Sequence, residues 1–190
     1  MLELSMHILD IVENSTRAGA KLVKISIVED KKKDKLIINF SDDGKGMDEE
    51  TLKKALDPFF TSKSVRNIGL GLPMLLQATK SCDGHFSVES KKGMGTRVIT
   101  DFKYSHIDRQ PLGDITGTII TLIAGNPEVD FVYSHQKGNL KYTLDTREIR
   151  KEIEDVSINN SEVLRFIRTN IEEGLKEIGM KEALLNEIRK

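Results

Sequence analysis

A single cysteine, Cys82, serves the whole chain of 190 residues, so neither an intrachain disulfide nor a CxxC metal clip can form. That scarcity is the usage of a reducing compartment, and Cys82 reads as a small core residue. Neither sign of charge is in excess. Lys and Arg number 29 against 30 Asp and Glu, a formal net charge of -1, which leaves no bulk field to hold a polyanion and argues against a nucleic-acid partner. No apolar run approaches the ~18 to 20 residues of a membrane span. The opening MLELSMHILD also lacks a basic, hydrophobic, small-residue leader, so a cytoplasmic protein with no membrane partner is expected. There is no GxxxxGK[ST] phosphate loop and no HExxH, and the glycines at 69 and 71 lack the third member of a dinucleotide fingerprint.

What is present is the composition of a folded protein, 38% hydrophobic and 31% charged. The length suits one core domain with room for an extension. Leu4, Ile8, Ile11 and Val12 recur at helical spacing over 3–17, and Gly19 closes that helix. Val23, Ile25 and Ile27 then alternate as in a half-buried strand; a charged turn at Lys31 to Asp34 and a second strand, LIINFSDDG, follow. Helices are predicted around Glu49 to Ala55 and Leu70 to Ser81, with Pro73 tolerable in a first turn, and strands at HFSVES and TRVITDF. Up to about residue 104 this is an α+β layer with helices on one face of a sheet. TGTIITLIAG, VDFVYSH and LKYTLDT read as three more strands extending it, the last two joined by a turn at Gln136 to Asn139.

From Arg147 the pattern is helical, with a break at Ser157 to Ser161 and Ser161 as cap. Leu164, Ile167, Ile171, Leu175 and Ile178 form one apolar stripe, and Leu184, Leu185 and Ile188 a second. Such stripes must be covered, either by the chain's own sheet or by a second copy, and a homodimer through these helices is expected. The domain reading is therefore 1–104 as a core unit, 105–146 as additional strands and 147–190 as a helical extension.

An ordered set of motifs carries the chemistry. It runs Glu13-Asn14 on the first helix, Asp42-Asp43-Gly44-Lys45-Gly46 after a strand, DPFFTSKS from Asp57, Gly69-Leu70-Gly71-Leu72 opening a helix, and Gly93-Met94-Gly95-Thr96 opening a strand. In this order and spacing they resemble the GHKL superfamily of gyrase, the heat-shock chaperone ATPase, histidine kinases and MutL. ENSTRAGAKLVKISI is similar to the start of MutL, whereas DPFFTSKS, GLGLPM and GHFSVESKKGMGT are similar to the catalytic and ATP-binding domain of sensor histidine kinases. The resemblance covers roughly residues 3 to 103. It implies a Bergerat-type two-layer α/β sandwich with a mixed sheet, here extended by extra strands and a helical tail, and it implies ATP and Mg2+ as cofactors.

The residue types agree. A carboxylate at a strand end can accept from adenine's exocyclic amine, and glycines let a flat base approach the backbone. By position in the family's DxGxG, the acceptor is Asp42, flanked by Gly44 and Gly46, with Thr96 assisting; Asp43 reads as a turn residue. Magnesium carried on a triphosphate needs few protein ligands, so the amide oxygen of Asn14 suffices. Gly69, Gly71 and Leu72 lie where a helix N-terminus suits phosphate. Lys63 stands at the loop position from which histidine kinases reach the terminal phosphate.

The resemblance also assigns the reaction residue. One helical turn before the magnesium asparagine, MutL, gyrase and the anti-sigma-factor serine kinases carry a glutamate that activates the nucleophile; here the residue is Asp10. Positions 10 and 14 share a helix face, which His7 and Arg17 continue. The ATP-binding pattern begins almost at Met1, so no upstream phosphoacceptor helix is expected, and His85, His106 and His135 lack the helical surroundings of an acceptor. Two functions follow: an ATPase or a kinase acting in trans on an unidentified partner protein, or a nucleotide-gated binding module whose loop from Asp57 to Asn67 orders on ATP.

Overall fold

The computed structural model describes residues 2–57 and 70–180. Their elements are α1 (Leu4–Arg17), β1 (Leu22–Asp30), β2 (Lys35–Asp42), α2 (Glu49–Ala55), α3 (Gly71–Lys80), β3 (His85–Lys91), β4 (Gly95–Lys103), α4 (Ile115–Gly125), β5 (Asp130–Lys137), β6 (Leu140–Asp145), α5 (Thr146–Ile153) and α6 (Ser161–Glu177). The six strands form one sheet in the order β3-β4-β2-β1-β5-β6. Every pairing is antiparallel except β1 with β5.

Alternation decides the layers. Val23, Ile25 and Ile27 of β1, Leu36, Ile38 and Phe40 of β2, Val98 and Phe102 of β4, and Phe131 and Tyr133 of β5 are buried in one core with Leu4, Ile8, Ile11 and Val12 of α1. The result is the expected α+β sandwich on a mixed sheet. Among the described residues no helix is long and apolar enough to cross a membrane.

The run TGTIITLIAG is not a strand but α4. Strand direction explains why: β4 and β5 both run parallel to β1, so the chain must cross over between them, and a helix is the usual carrier. Asp114 caps the helix by accepting from the Gly117 N–H at 2.7 Å, and the Thr118 and Thr121 hydroxyls donate to carbonyls one turn back. Ile115, Ile119, Ile120, Leu122 and Ile123 are all buried, so the helix is apolar over most of its circumference. A short apolar run of that kind has no telling period. The α6 cap also differs from expectation: Asn160, not Ser161, accepts from the Glu162 N–H, at 2.9 Å.

VDFVYSH and LKYTLDT do form strands, β5 and β6, and they extend the sheet beyond β1. The α6 stripe folds onto this extension, against α4 and β6. Ile167, Ile171 and Ile178 are buried, and Leu164 and Leu175 pack on the same core. At Gly174 a β-carbon would lie 2.0 Å from the ring of Tyr142, whose hydroxyl donates to Asn170 Oδ1 at 2.6 Å. The described stripe is thus covered by the chain itself, while Leu184, Leu185 and Ile188 lie outside the described residues.

Because Ile171 is fully enclosed in this contact, Ile171→Ala should cost about 2–5 kcal/mol. Urea denaturation would show this as a lower midpoint at unchanged slope. A midpoint equal to that of the wild type would mean that α6 is not part of the cooperative core.

Candidate functional site

Asp42 ends β2, opposite Val23 of β1 and Thr96 of β4, with its side chain on the helix-covered face. The Ser15 hydroxyl of α1 donates to its Oδ2 at 2.7 Å, and the Gly44 N–H donates to its Oδ1 at 2.9 Å. Each oxygen keeps acceptor capacity, so the carboxylate is aimed while remaining able to take another donor. Thr96 Oγ1 lies 2.9 Å from Ser90 Oγ, which also accepts from the Met47 N–H at 2.8 Å. Asp43 works on the backbone instead, where its Oδ1 accepts from the N–H groups of Lys21 and Leu22 at 2.7 and 2.9 Å and so fixes the start of β1.

Above Asp42 opens a cavity of about 290 Å³. Its walls are apolar, from Ile11, Ala18, Phe40, Met47, Leu72 and Val98, with Asn14, Asp42, Lys45 and Thr96 as polar points. A flat heterocycle bearing an amine donor matches that distribution: apolar surface for its faces and an anchored acceptor for its edge. Gly46 is required by its conformation, φ +61, and by space, since a β-carbon there would stand 2.1 Å from the carbonyl oxygen of Lys91.

Gly71 opens α3 directly against α1. A β-carbon there would lie 3.1 Å from Asp10 Cβ and 3.4 Å from Asn14 Nδ2, so the missing side chain lets the N-terminus of α3 meet the face carrying both residues. Asp10, Asn14 and Gly71 are therefore brought together. Burial, and secondarily the neighbouring charge of Glu13, raises the Asp10 carboxyl above its ordinary range. Arg17 pairs with Glu13 at 2.6 Å. His7 is buried, with Nε2 at 3.0 Å from Gln110 Oε1 and no partner for Nδ1, and desolvation lowers its pKa. Lys63 and Gly69 lie outside the described residues.

The sequence reading gives no site role to Ser15 or Met47, and Lys45 enters it only as a member of the Asp42 to Gly46 motif. Ser15 left a trace there, because it continues the buried stripe of Ile8, Ile11 and Val12 with a hydroxyl, and a polar group in an apolar stripe needs a partner. Among the described residues no group of three or more His, Cys, Asp or Glu could hold a metal ion. A divalent cation at Asn14 would accordingly depend on oxygens brought by a ligand, which fits magnesium arriving on a triphosphate.

Residues 2–106 match the family of histidine kinase-, DNA gyrase B-, and HSP90-like ATPases, and the chain belongs to that family. Membership supports ATP binding. Sporulation kinase C of Bacillus subtilis (strain 168) is 33% identical over 94 residues, 50% of this chain but 22% of that protein. Anti-sigma F factor of Clostridium acetobutylicum is 28% identical over 99 residues, 52% of this chain and 63% of that protein. This chain thus spans only about a fifth of the sporulation kinase's length. The ATPase domain of Aquifex aeolicus MutL, solved with ADP, superposes with a TM-score of 0.52 at 19% identity, over 81% of this chain and 68% of that one, and so shares the fold.

The raised Asp10 carboxyl has a thermodynamic consequence. Folding takes up a proton between the ordinary value of 3.8 and the raised one, so the stability this group lends is present below that window and lost as pH rises through it. Asp10→Asn, which carries no such penalty, should melt higher than the wild type at about pH 7 and lose that advantage below about pH 4. Calorimetric scans of both proteins across this range check it; parallel curves would mean that Asp10 titrates as a solvated carboxylate.

Proposed function

We propose that the chain binds Mg-ATP in the cavity beside Asp42 and acts in trans on a partner protein, as an ATPase or a protein kinase. The observation that carries this is the aimed carboxylate: Asp42, held by Ser15 and Gly44 at the edge of an apolar cavity that also contains Thr96. In this reading Asp42 accepts from the adenine amine, Thr96 assists, and Gly44, Gly46 and Leu72 shape the base-facing wall. Asn14 holds magnesium, Gly69 and Gly71 receive phosphates, and Lys63 neutralises the terminal one. Residues 1–104 form the nucleotide-binding unit, 105–146 adjoin its sheet, and 147–190 supply the helical extension.

Asp10 is the general base. Its carboxylate takes the proton from the attacking water or partner hydroxyl as that oxygen bonds to the terminal phosphorus, and the diphosphate leaves with the electron pair of the cleaved bond. A carboxyl whose pKa is raised by burial is a better base than a solvated one, and its neighbour Gly71 places it against the helix terminus that receives phosphate. Similarity to a sporulation kinase and to an anti-sigma factor supports a regulatory role exercised on a protein partner.

Calorimetric titration with Mg-ATP tests the pocket. Asp42→Asn turns a donor toward adenine's own donor, and an unmatched buried polar group of this kind costs about 1 to 3 kcal/mol, or roughly 5- to 150-fold in affinity. Equal affinity of variant and wild type would remove the adenine assignment. Asp10→Asn should bind within a few fold of wild type while hydrolysis, or labelling of a lysate protein by γ-labelled ATP, falls about 10²- to 10⁴-fold. If wild-type turnover is negligible from the outset and nucleotide instead controls partner capture, the chain is a gated binding module.

A further inference from the structure

The sheet has a second face with a chemistry of its own. Along β1, β2 and β4, Lys24, Ser26, Asn39, Ser41 and Arg97 alternate with the buried residues and so point away from the core helices. The register sets Lys24 opposite Ser41 and Ser41 opposite Arg97, one row across three strands, with Ser26 opposite Asn39 in the next row. Adjacent strands lie ~4.8 Å apart, so the two cations are rooted roughly 10 Å apart with Ser41 between them. Two long, flexible side chains can close that span on a single anion. The same five residues line a shallow pocket of about 330 Å³.

None of these five side chains forms a hydrogen bond or an ion pair among the described residues. Three of them, Ser26, Asn39 and Ser41, are half-buried in the middle of the sheet, where an idle donor is less well hydrated than at a loop tip. The acidic groups nearby are mostly occupied: Asp101 is paired with Lys35, and Asp145 with Arg147. Glu89 stands opposite Arg97 in the register yet makes no ion pair with it.

We propose that this face binds a phosphate group, held between Lys24 and Arg97 with Ser41, Ser26 and Asn39 donating to its oxygens. A carboxylate has two oxygens and one charge. The donor set here comprises a guanidinium fork, an ammonium, two hydroxyls and a side-chain amide, which matches the four oxygens and near-double charge of phosphate. The site is separate from the nucleotide cavity. Ser41 and Asp42 are consecutive, as are Thr96 and Arg97, so the two sites occupy opposite faces of the same two strands.

Titration of the full ¹⁵N-labelled chain with inorganic phosphate at constant ionic strength resolves the two faces residue by residue. The Asn39 side-chain amide and the Arg97 Nε–H should shift saturably, and Lys24→Met or Arg97→Ser should weaken binding about tenfold or more while the remaining amide spectrum stays folded. Glu89→Gln, which removes the competing charge, should tighten it about two- to fivefold. Shifts that grow linearly with concentration, that chloride reproduces, or that saturate with unchanged affinity in Arg97→Ser would overturn the site. N-acetyl-phosphoserine amide supplies the second arm: tighter binding than inorganic phosphate assigns the site to a phosphorylated side chain of a partner, and weaker binding assigns it to free phosphate.

Discussion

The seating of α1 on the sheet is the contact on which the rest of the site depends. Its buried stripe of Leu4, Ile8, Ile11 and Val12 lies in the core, each side chain worth about 1.5–3 kcal/mol of burial before chain entropy is counted. Ser15 ends that stripe with a hydrogen bond rather than another apolar contact, and its acceptor is Asp42. Helix rotation and helix position are therefore fixed together. Once both are fixed, Asp10 and Asn14 fall one turn apart on the flank that meets Gly71, and their spacing follows from helical geometry. Replacing Gly71 by a larger residue would press on α1 at Asp10 and so disturb Asp42 through Ser15 of the same helix.

The same helix ties the residues of the family match to those that follow them. Its first N–H groups receive no side-chain cap; Leu4 and Ser5 donate instead to the carbonyls of Pro111 and Leu112, each at 2.9 Å. Helix α4 then packs against α1, and β5 pairs along almost the whole of β1. The family match ends at residue 106, but the hydrophobic core does not. A buried polar chain reinforces the seam: His135 Nε2 of β5 lies 2.9 Å from Glu29 Oε1 of β1, Tyr133 Oη lies 2.8 Å from His135 Nδ1, and the Tyr104 hydroxyl donates to Glu29 Oε2 at 3.1 Å. Burial works to raise the Glu29 carboxyl, and the hydrogen bonds from His135 and Tyr104 outweigh it, holding it below the usual range. A partner that engaged the extension would thus act on β1, and β1 carries Val23, the register neighbour of Asp42.

How much of this is legible in the sequence depends on which scale decides each feature. Where local periodicity decides, the pattern suffices: the α1 stripe, the β1 and β2 alternation and the motif order from Asn14 to Thr96 are written in neighbouring residues. Helix α4 reads as a strand because its nearly all-round apolar run carries no period, and the deciding fact, that β4 and β5 both run with β1, is a property of the whole sheet. The α6 stripe announces that it must be buried but not what buries it; Tyr142 and α4 do so, and neither can be inferred from α6 itself. Ser15 and Asp43 lie beside recognised motif residues, and their work becomes visible only when strand register brings Asp42 and Lys21 within hydrogen-bond reach.

Register also binds together the two faces of the central strands. Asp42 pairs with Thr96 on the helix-covered side, and Ser41 pairs with Arg97 on the other. Since side chains alternate with a period of two, a slip of one residue between β2 and β4 would carry Asp42 out of the cavity and turn Ser41 toward the core. The buried row of Leu36, Ile38 and Phe40 against Val98, Thr100 and Phe102 forbids such a slip, because it would expose large apolar side chains in the middle of the sheet. The hydrophobic pairing along these two strands is therefore what holds an acceptor on one face and a cationic row on the other. A conformational response to a ligand that left this pairing intact would have the strand ends and helix α3 to act through.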